Sequence, residues 1–257
     1  MTRLVVRDQV CRAFPGLRII AIVTLGFDGR RPWPGVDAGL AALEVGAVGD
    51  AAGEPAQAAQ DDPHIAAWHA AYRAFGTNPR RQRPSADALR RRLSRSGKLP
   101  RINPAVDAYN LVSARYGVPA GAFDLSRVSG DIAVGFADGS EEFTPLGEPG
   151  TVEHPHPGEV IYANAAGVLT RHWNHRDADR TKVTEDSEQI VFLLETVDAG
   201  EFGARLDDAR QSLAGLLAER SRSVLLHEIT ASAPQIPALA QQRQSGAGVD
   251  VDLRTRA

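Results

Sequence analysis

The chain has 257 residues, with 43% hydrophobic and 24% charged residues and a formal net charge of −3. That balance describes a globular protein with room for a substantial core, and it excludes a polycation and a disordered chain. One cysteine, Cys11, excludes an internal disulfide framework. No apolar run approaches the roughly 20 residues that span a bilayer. The opening Met1-Thr2-Arg3-Leu4-Val5-Val6-Arg7-Asp8 brings charge back too early for a secretory leader, so a reducing cytoplasm is the expected location.

In chain order, Leu17 to Phe27 is a continuous apolar, β-branched run and predicts a buried strand. Asp28-Gly29 begins a turn, and Arg31-Pro32-Trp33-Pro34-Gly35 reads as irregular. Ala38 to Val45 has the look of a short helix, and residues 46–60, rich in Ala, Gly and acid, read as a mobile loop. A helix is expected from Asp62-Pro63, with Asp62 as cap and proline in the first position. Ile65, Trp68, His69, Tyr72 and Phe75 give it one apolar face, and Gly76 ends it. Pro84-Ser85 opens a second helix, with Ser85 as cap, Leu89 and Leu93 facing the core and Gly97 closing it. Asn103-Pro104 opens a third, which stops at Gly117. Asp107, Asn110 and Ser113 form a polar row on that otherwise apolar helix, which belongs at a pocket edge or in water.

Strands dominate after Pro119. Ile132 to Phe136 leads to the turn signal Asp138-Gly139, with Glu142 to Leu146 as the return. Residues 159–163 and 168–173 predict another hairpin, and Ile190 to Val197 a second central strand. Phe202 to Arg220 predicts an amphipathic helix and Val224 to Ile229 a final strand. The polar stretch beyond Pro234 reads as a frayed tail. Helices mostly early and strands mostly late predict an α+β fold with layered sheets and helices, not an alternating Rossmann arrangement.

Charge is unevenly spread. Between Arg73 and Arg101 lie nine arginines and one lysine against a single acid, Asp87. Arginine is the better bidentate phosphate ligand. Arg80, Arg81, Arg83 and Arg91 are therefore candidate phosphate contacts; a solvated, salt-bridged helix face is the alternative.

Several ordered motifs carry a resemblance. Phe75-Gly76-Thr77-Asn78-Pro79, Arg83-Pro84-Ser85, Leu99-Pro100 and Asn103 precede Val106-Asp107-Ala108-Tyr109-Asn110-Leu111-Val112-Ser113. Gly158-Glu159-Val160 and Arg171-His172-Trp173-Asn174-His175-Arg176 follow. Together they resemble the freestanding B3/B4 domain family, which is similar to the editing module of the bacterial phenylalanyl-tRNA synthetase β subunit. The resemblance implies a layered β/β/α arrangement of mixed sheets with helices on one side. The resemblance covers 63–197 as the core of one domain expected over residues 1–232, and the polar composition beyond it predicts a flexible tail over 233–257.

For function, the resemblance implies contact with the aminoacylated acceptor end of tRNA. It also implies hydrolysis of a misattached aminoacyl ester in trans, with tyrosine on phenylalanine tRNA as the example. The chain has no room for the rest of a complete phenylalanine–tRNA ligase. A non-catalytic tRNA-binding module and an amino-acid sensor are the alternatives. Water attack on an activated ester needs orientation and oxyanion stabilisation, not a dedicated nucleophile. Glu159 and Asn110 are the catalytic candidates. Asn78, Ser113, Trp173, Asn174, Arg176 and Lys182 are candidate substrate contacts, with Trp173 either stacking on a base or sitting in the core. Asn78 before proline also suits plain turn chemistry, and Glu159 also suits an ion pair with Arg176 or Lys182. Neither His154/His156 nor His172/His175 has zinc-site spacing, and no cofactor is expected.

Overall fold

The computed structural model describes residues 2–49 and 62–240. Among them, six helices accompany two sheets in an α+β arrangement. The four-stranded sheet has the order β3 (Ala120–Asp124), β8 (Gln189–Thr196), β2 (Arg18–Leu25), β9 (Ser223–Thr230), and all its pairs are antiparallel. The six-stranded sheet has the order β10 (Gln235–Ile236), β1 (Leu4–Val6), β4 (Ile132–Phe136), β5 (Val160–Asn164), β6 (Gly167–Arg171), β7 (Arg176–Asp177). Only β1 and β4 run parallel in it.

The continuous apolar run in β2 has a direct cause: both faces of its sheet are covered. Ile19, Ala21 and Val23 enter the core shared with the six-stranded sheet, where Leu4, Val6, Val134, Val160, Tyr162 and Leu169 meet them. Ile20 and Ile22 enter a second core with Phe192, Leu40, Leu111, Leu206 and Leu213. That second core is roofed by α2 (Pro34–Gly49), α5 (Pro104–Tyr116) and α6 (Ala199–Ala218). The layers therefore run helix, sheet, sheet, as expected.

The expected caps on two helices hold. In α3 (Pro63–Ala74), Asp62 accepts a bond from the His64 N–H at 2.9 Å. In α5, Asn103 accepts from Val106 at 3.0 Å, and Gly117 follows at φ 65°. In α4 (Ser85–Ser96) the capping position is Pro84, and Ser85 instead donates to the Ala120 carbonyl at 3.4 Å. That bond ties α4 to the edge of β3.

Other expectations are corrected. The stretch read as irregular runs straight into α2: Pro34 takes the first helical position, where its missing N–H costs nothing. Residues 46–49 belong to that helix, and the rest of the expected loop lies outside the described residues. Glu142 to Leu146 is not the return strand; β4 pairs with β5, and Phe143 and Pro145 make only single bridges. Pro145 has no N–H to give a ladder, whereas β5 brings Val160 and Tyr162 to the core. Part of the expected tail is structural. Ile236 pairs with Leu4 in β1, and Leu239 is fully buried and donates to the Thr2 carbonyl. Nothing in the sequence pattern pointed to β1 or to α1 (Asp8–Ala13), which are three and six residues long.

Candidate functional site

The turn from β6 to β7, residues 171–176, rests on two buried carboxylates. Glu159 accepts from Arg171 Nε and Nη2 at 3.0 and 2.8 Å, from the His172 N–H at 2.9 Å and from the His156 N–H at 3.2 Å. Burial pushes this carboxyl up, but Arg171 outweighs that and holds it below its usual range. The ion-pair partner is thus Arg171, not Arg176 or Lys182.

Glu195 accepts from Tyr162 Oη, from Trp173 Nε1 at 3.0 Å and from Asn174 Nδ2 at 3.0 Å, while Tyr72 Oη donates to Asn174 Oδ1 at 2.8 Å. Burial pushes Glu195 up to about 7 despite these donors. The network holds His172 and Trp173 in left-handed backbone at φ 47° and 64°. Trp173 has no exposure and packs against Phe14, Trp68 and Phe75, so it is a core residue and not a stacking platform for a base.

Beside this turn is a hollow of about 510 Å³ lined by Arg73, Gly76, Thr77, Asn78, Pro79 and Arg80. Thr77 Oγ1 hydrogen-bonds His172 Nδ1 at 2.9 Å, and His175 Nδ1 donates to the Arg83 carbonyl at 2.8 Å. Burial lowers both imidazoles, His172 to about 4, so both are neutral near pH 7. Asn78 is exposed and its side chain accepts from the Arg80 N–H at 3.0 Å, the turn chemistry considered for it.

The arginines divide into two sets. Arg83 and Arg91 neutralise the buried Asp87, which also accepts a hydrogen bond from His69 Nε2 at 3.0 Å. Arg90 and Arg205 do the same for Asp62. Arg73, Arg80, Arg81, Arg92 and Arg95 make no ion pair among the described residues. Arg176 pairs with Glu148 and Glu153, and Lys182 with Asp179.

A second polar region borders β3, an edge strand. A Cβ at Gly121 would meet open space. The helix α5, which packs against β3, carries Asn110, 6% exposed, and Ser113, 0% exposed. Neither has a side-chain hydrogen bond among the described residues, and Ser113 Oγ is fully enclosed. Thr181 Oγ1 is likewise enclosed without a partner. Asn103 Nδ2 donates to the Val183 carbonyl at 3.1 Å, tying α5 to the segment after β7. Burial, and then the nearby Asp177 charge, raise the Tyr109 phenol. Burial also pushes Asp177 up to about 6. Enclosed polar groups without protein partners are costly and uncommon, and an ordered water or a ligand supplies the missing bonds; Trp68 Nε1, Arg210 Nε and Ser221 Oγ share this condition elsewhere in the fold.

The candidate residues thus fall into two groups. Asn110 and Ser113 lie on α5. Glu159, Asn174 and Arg176 belong to the β6–β7 turn, Glu159 and Arg176 linked through Arg171 and Glu153. No hydrogen bond joins Asn110 to Glu159 among the described residues. Thr77, Tyr109, His172, Asp177 and Glu195 were not among the sequence candidates. Glu195 did leave a signal, a lone acid inside the apolar run of β8.

A family model described as B3/4 domain matches residues 67–205, more than half of the chain. A 58-residue stretch is 41% identical to the phenylalanine–tRNA ligase beta subunit of Shewanella oneidensis, covering 23% of this chain and 7% of that protein. A solved N-terminal fragment of the phenylalanyl-tRNA synthetase beta subunit from Pyrococcus horikoshii is similar over 88% of this chain and 53% of that one, at 14% identity and a TM-score of 0.45. The chain therefore matches a small part of the first relative's length and about half of the second's.

Proposed function

The chain belongs to the B3/4 domain family, and from that premise we propose that it acts on the aminoacylated end of tRNA, hydrolysing a misattached aminoacyl ester in trans. One observation carries this reading: α5 buries Asn110 and Ser113 without side-chain partners among the described residues, in a molecule that lines a separate hollow with the unpaired Arg73 and Arg80. The first region suits an aminoacyl group. The second suits phosphates, with Arg73, Arg80 and Arg81 as ligands.

Asn110 would orient water or donate to the developing oxyanion. Glu159 acts in this scheme as an anchor for the 171–176 turn, because its oxygens already accept four donors. Asn174 is held between Tyr72 and Glu195, so its part is also to fix the turn. Arg176 and Lys182, each more than a third exposed, remain within the proposed contact surface.

The occupancy of Glu159 favours a second reading, a tRNA-binding module without hydrolysis. One experiment separates the two. Purified protein is incubated with a panel of correctly and wrongly charged tRNAs, and ester loss is followed while binding is measured in parallel. Selective release from a mischarged tRNA supports editing. Salt-sensitive binding with no release supports the binding module.

A further inference from the structure

We propose that β9 is a dimerisation edge: two copies of this chain pair antiparallel along it about a two-fold axis, joining their four-stranded sheets into one continuous sheet. The inference does not depend on the tRNA reading.

The margins of the two sheets differ. In the six-stranded sheet they are β10 and β7, each two residues long. In the four-stranded sheet one margin is β3, five residues long, and α4 lies against it, with Ser85 donating to the Ala120 carbonyl. The other margin is β9, eight residues long. Among the described residues it pairs along its length with β2 alone, and only its last residue, Thr230, bridges to Ala233. Alternate N–H and C=O groups of such a strand point away from the sheet. Proline, lysine or a bulge guards most natural edges. The β9 sequence Ser-Val-Leu-Leu-His-Glu-Ile-Thr has neither residue, and its register with β2 is unbroken. It also turns an apolar side chain outward, Leu226, 38% exposed.

A second copy is the occupant because this edge is complementary to itself. Val224 packs on the helix-covered core, and Glu228 reaches Arg18, which also holds Asp207 of α6. Val224, Leu226 and Glu228 therefore share the helix side of the strand. Set Leu225 opposite Leu225 of the second copy. Val224 then falls opposite Leu226, and Leu226 opposite Val224. At both ends Arg222, just before the strand, falls opposite Glu228. Arg222 makes no ion pair among the described residues, and the Glu228 side chain is 41% exposed. Opposite residues in this register lie an even number of positions apart, so both aim their backbone groups at the partner together. Sliding by two residues either way sets Glu228 against Val224 or Arg222 against Leu226. Sliding by one turns the apolar side chains to opposite faces. A two-fold pairing of this kind closes at two copies.

The test is sedimentation equilibrium on the full chain. Over about 1–200 µM, wild type should show a monomer–dimer equilibrium with a Kd of about 1–100 µM, as suits a small interface. Leu226→Lys, at an exposed position, should stay monomeric across that range, with its melting temperature unchanged at the lowest concentration. Arg222→Glu and Glu228→Lys should each weaken the dimer by about tenfold or more, since each sets like charges opposite one another at both ends. Glu228→Lys leaves Arg18 its Asp207 partner, so this variant is expected to fold. Mixed in equal amounts, these two variants should recover the dimer, because the mixed pair has opposite charges at both ends. A wild type that stays monomeric, association that continues past two copies, a Leu226→Lys dimer as tight as wild type, or a mixture no tighter than its parts overturns the proposal.

Discussion

Tyr162 and Glu195 join the two sheets through a hydrogen bond between the β5 phenol and the β8 carboxyl. Burial raises that carboxyl to about 7, above its unfolded value of about 4.3. The sign follows from linkage. Its contribution to stability is complete below the unfolded value and is lost as pH rises toward 7. Glu195→Gln should flatten this dependence. The stability difference between wild type and variant, measured by urea unfolding from pH 4 to 8, should move against wild type as pH rises. A constant difference would refute the assignment.

The Glu159–Arg171 pair has the opposite sign. Its carboxyl lies below the ordinary range, so its stabilisation is present above the unfolded value and lost in acid. Arg171→Ala should cost roughly 3–5 kcal/mol at neutral pH, because it strands a buried carboxylate. Glu159→Gln should converge on wild type as pH falls toward 3. Acid unfolding curves for the three proteins check this.

Asn110 and Ser113 permit a clean separation of stability from activity. Neither makes a side-chain hydrogen bond among the described residues, so alanine at either position should shift stability by less than about 1 kcal/mol. Ester hydrolysis should fall by about 10²-fold for Asn110→Ala if it supplies an oxyanion donor. Single-turnover rates alongside thermal melts make the comparison. A large loss of stability would mean that these groups have internal partners.

The two sets of arginines predict two phenotypes. Changing Arg73, Arg80 and Arg81 together to Gln should weaken tRNA binding and reduce the salt slope by roughly 0.7–0.9 per lost phosphate contact, with little change in melting. Changing Arg83 and Arg91 should lower the melting temperature first, since Asp87 is left buried without its guanidinium partners. Filter binding at several salt concentrations distinguishes them.

Much of the fold was legible where the cause is local. The uninterrupted apolar runs of β2 and β8 record two covered faces, and the Asp62-Pro63 and Asn103-Pro104 caps act within three residues of themselves. The polar row on α5 was legible for the same reason: Asn110 and Ser113 stand out on an apolar helix. What escaped was long-range. Asp62 meets Arg205 143 positions away, and Arg3 meets Asp131 across 128, so the sequence does not say which charges are spent internally. Trp173 allowed two readings, base platform or core, because its neighbours are polar. Those neighbours turn inward too, toward Glu195 and Glu159. Short β1 and β10 carry too few residues for any periodicity.

The pairing of β1 with β10 has a consequence for synthesis. A ribosome must deliver residues 234–239 before β1 gains its second neighbour, since Ile236 pairs with Leu4 and the Pro234 carbonyl accepts from Val6. Until then the nascent sheet has an open margin to which another chain can add. Crowded translation, or release of a chain that stops near residue 232, should therefore favour clumping over completion.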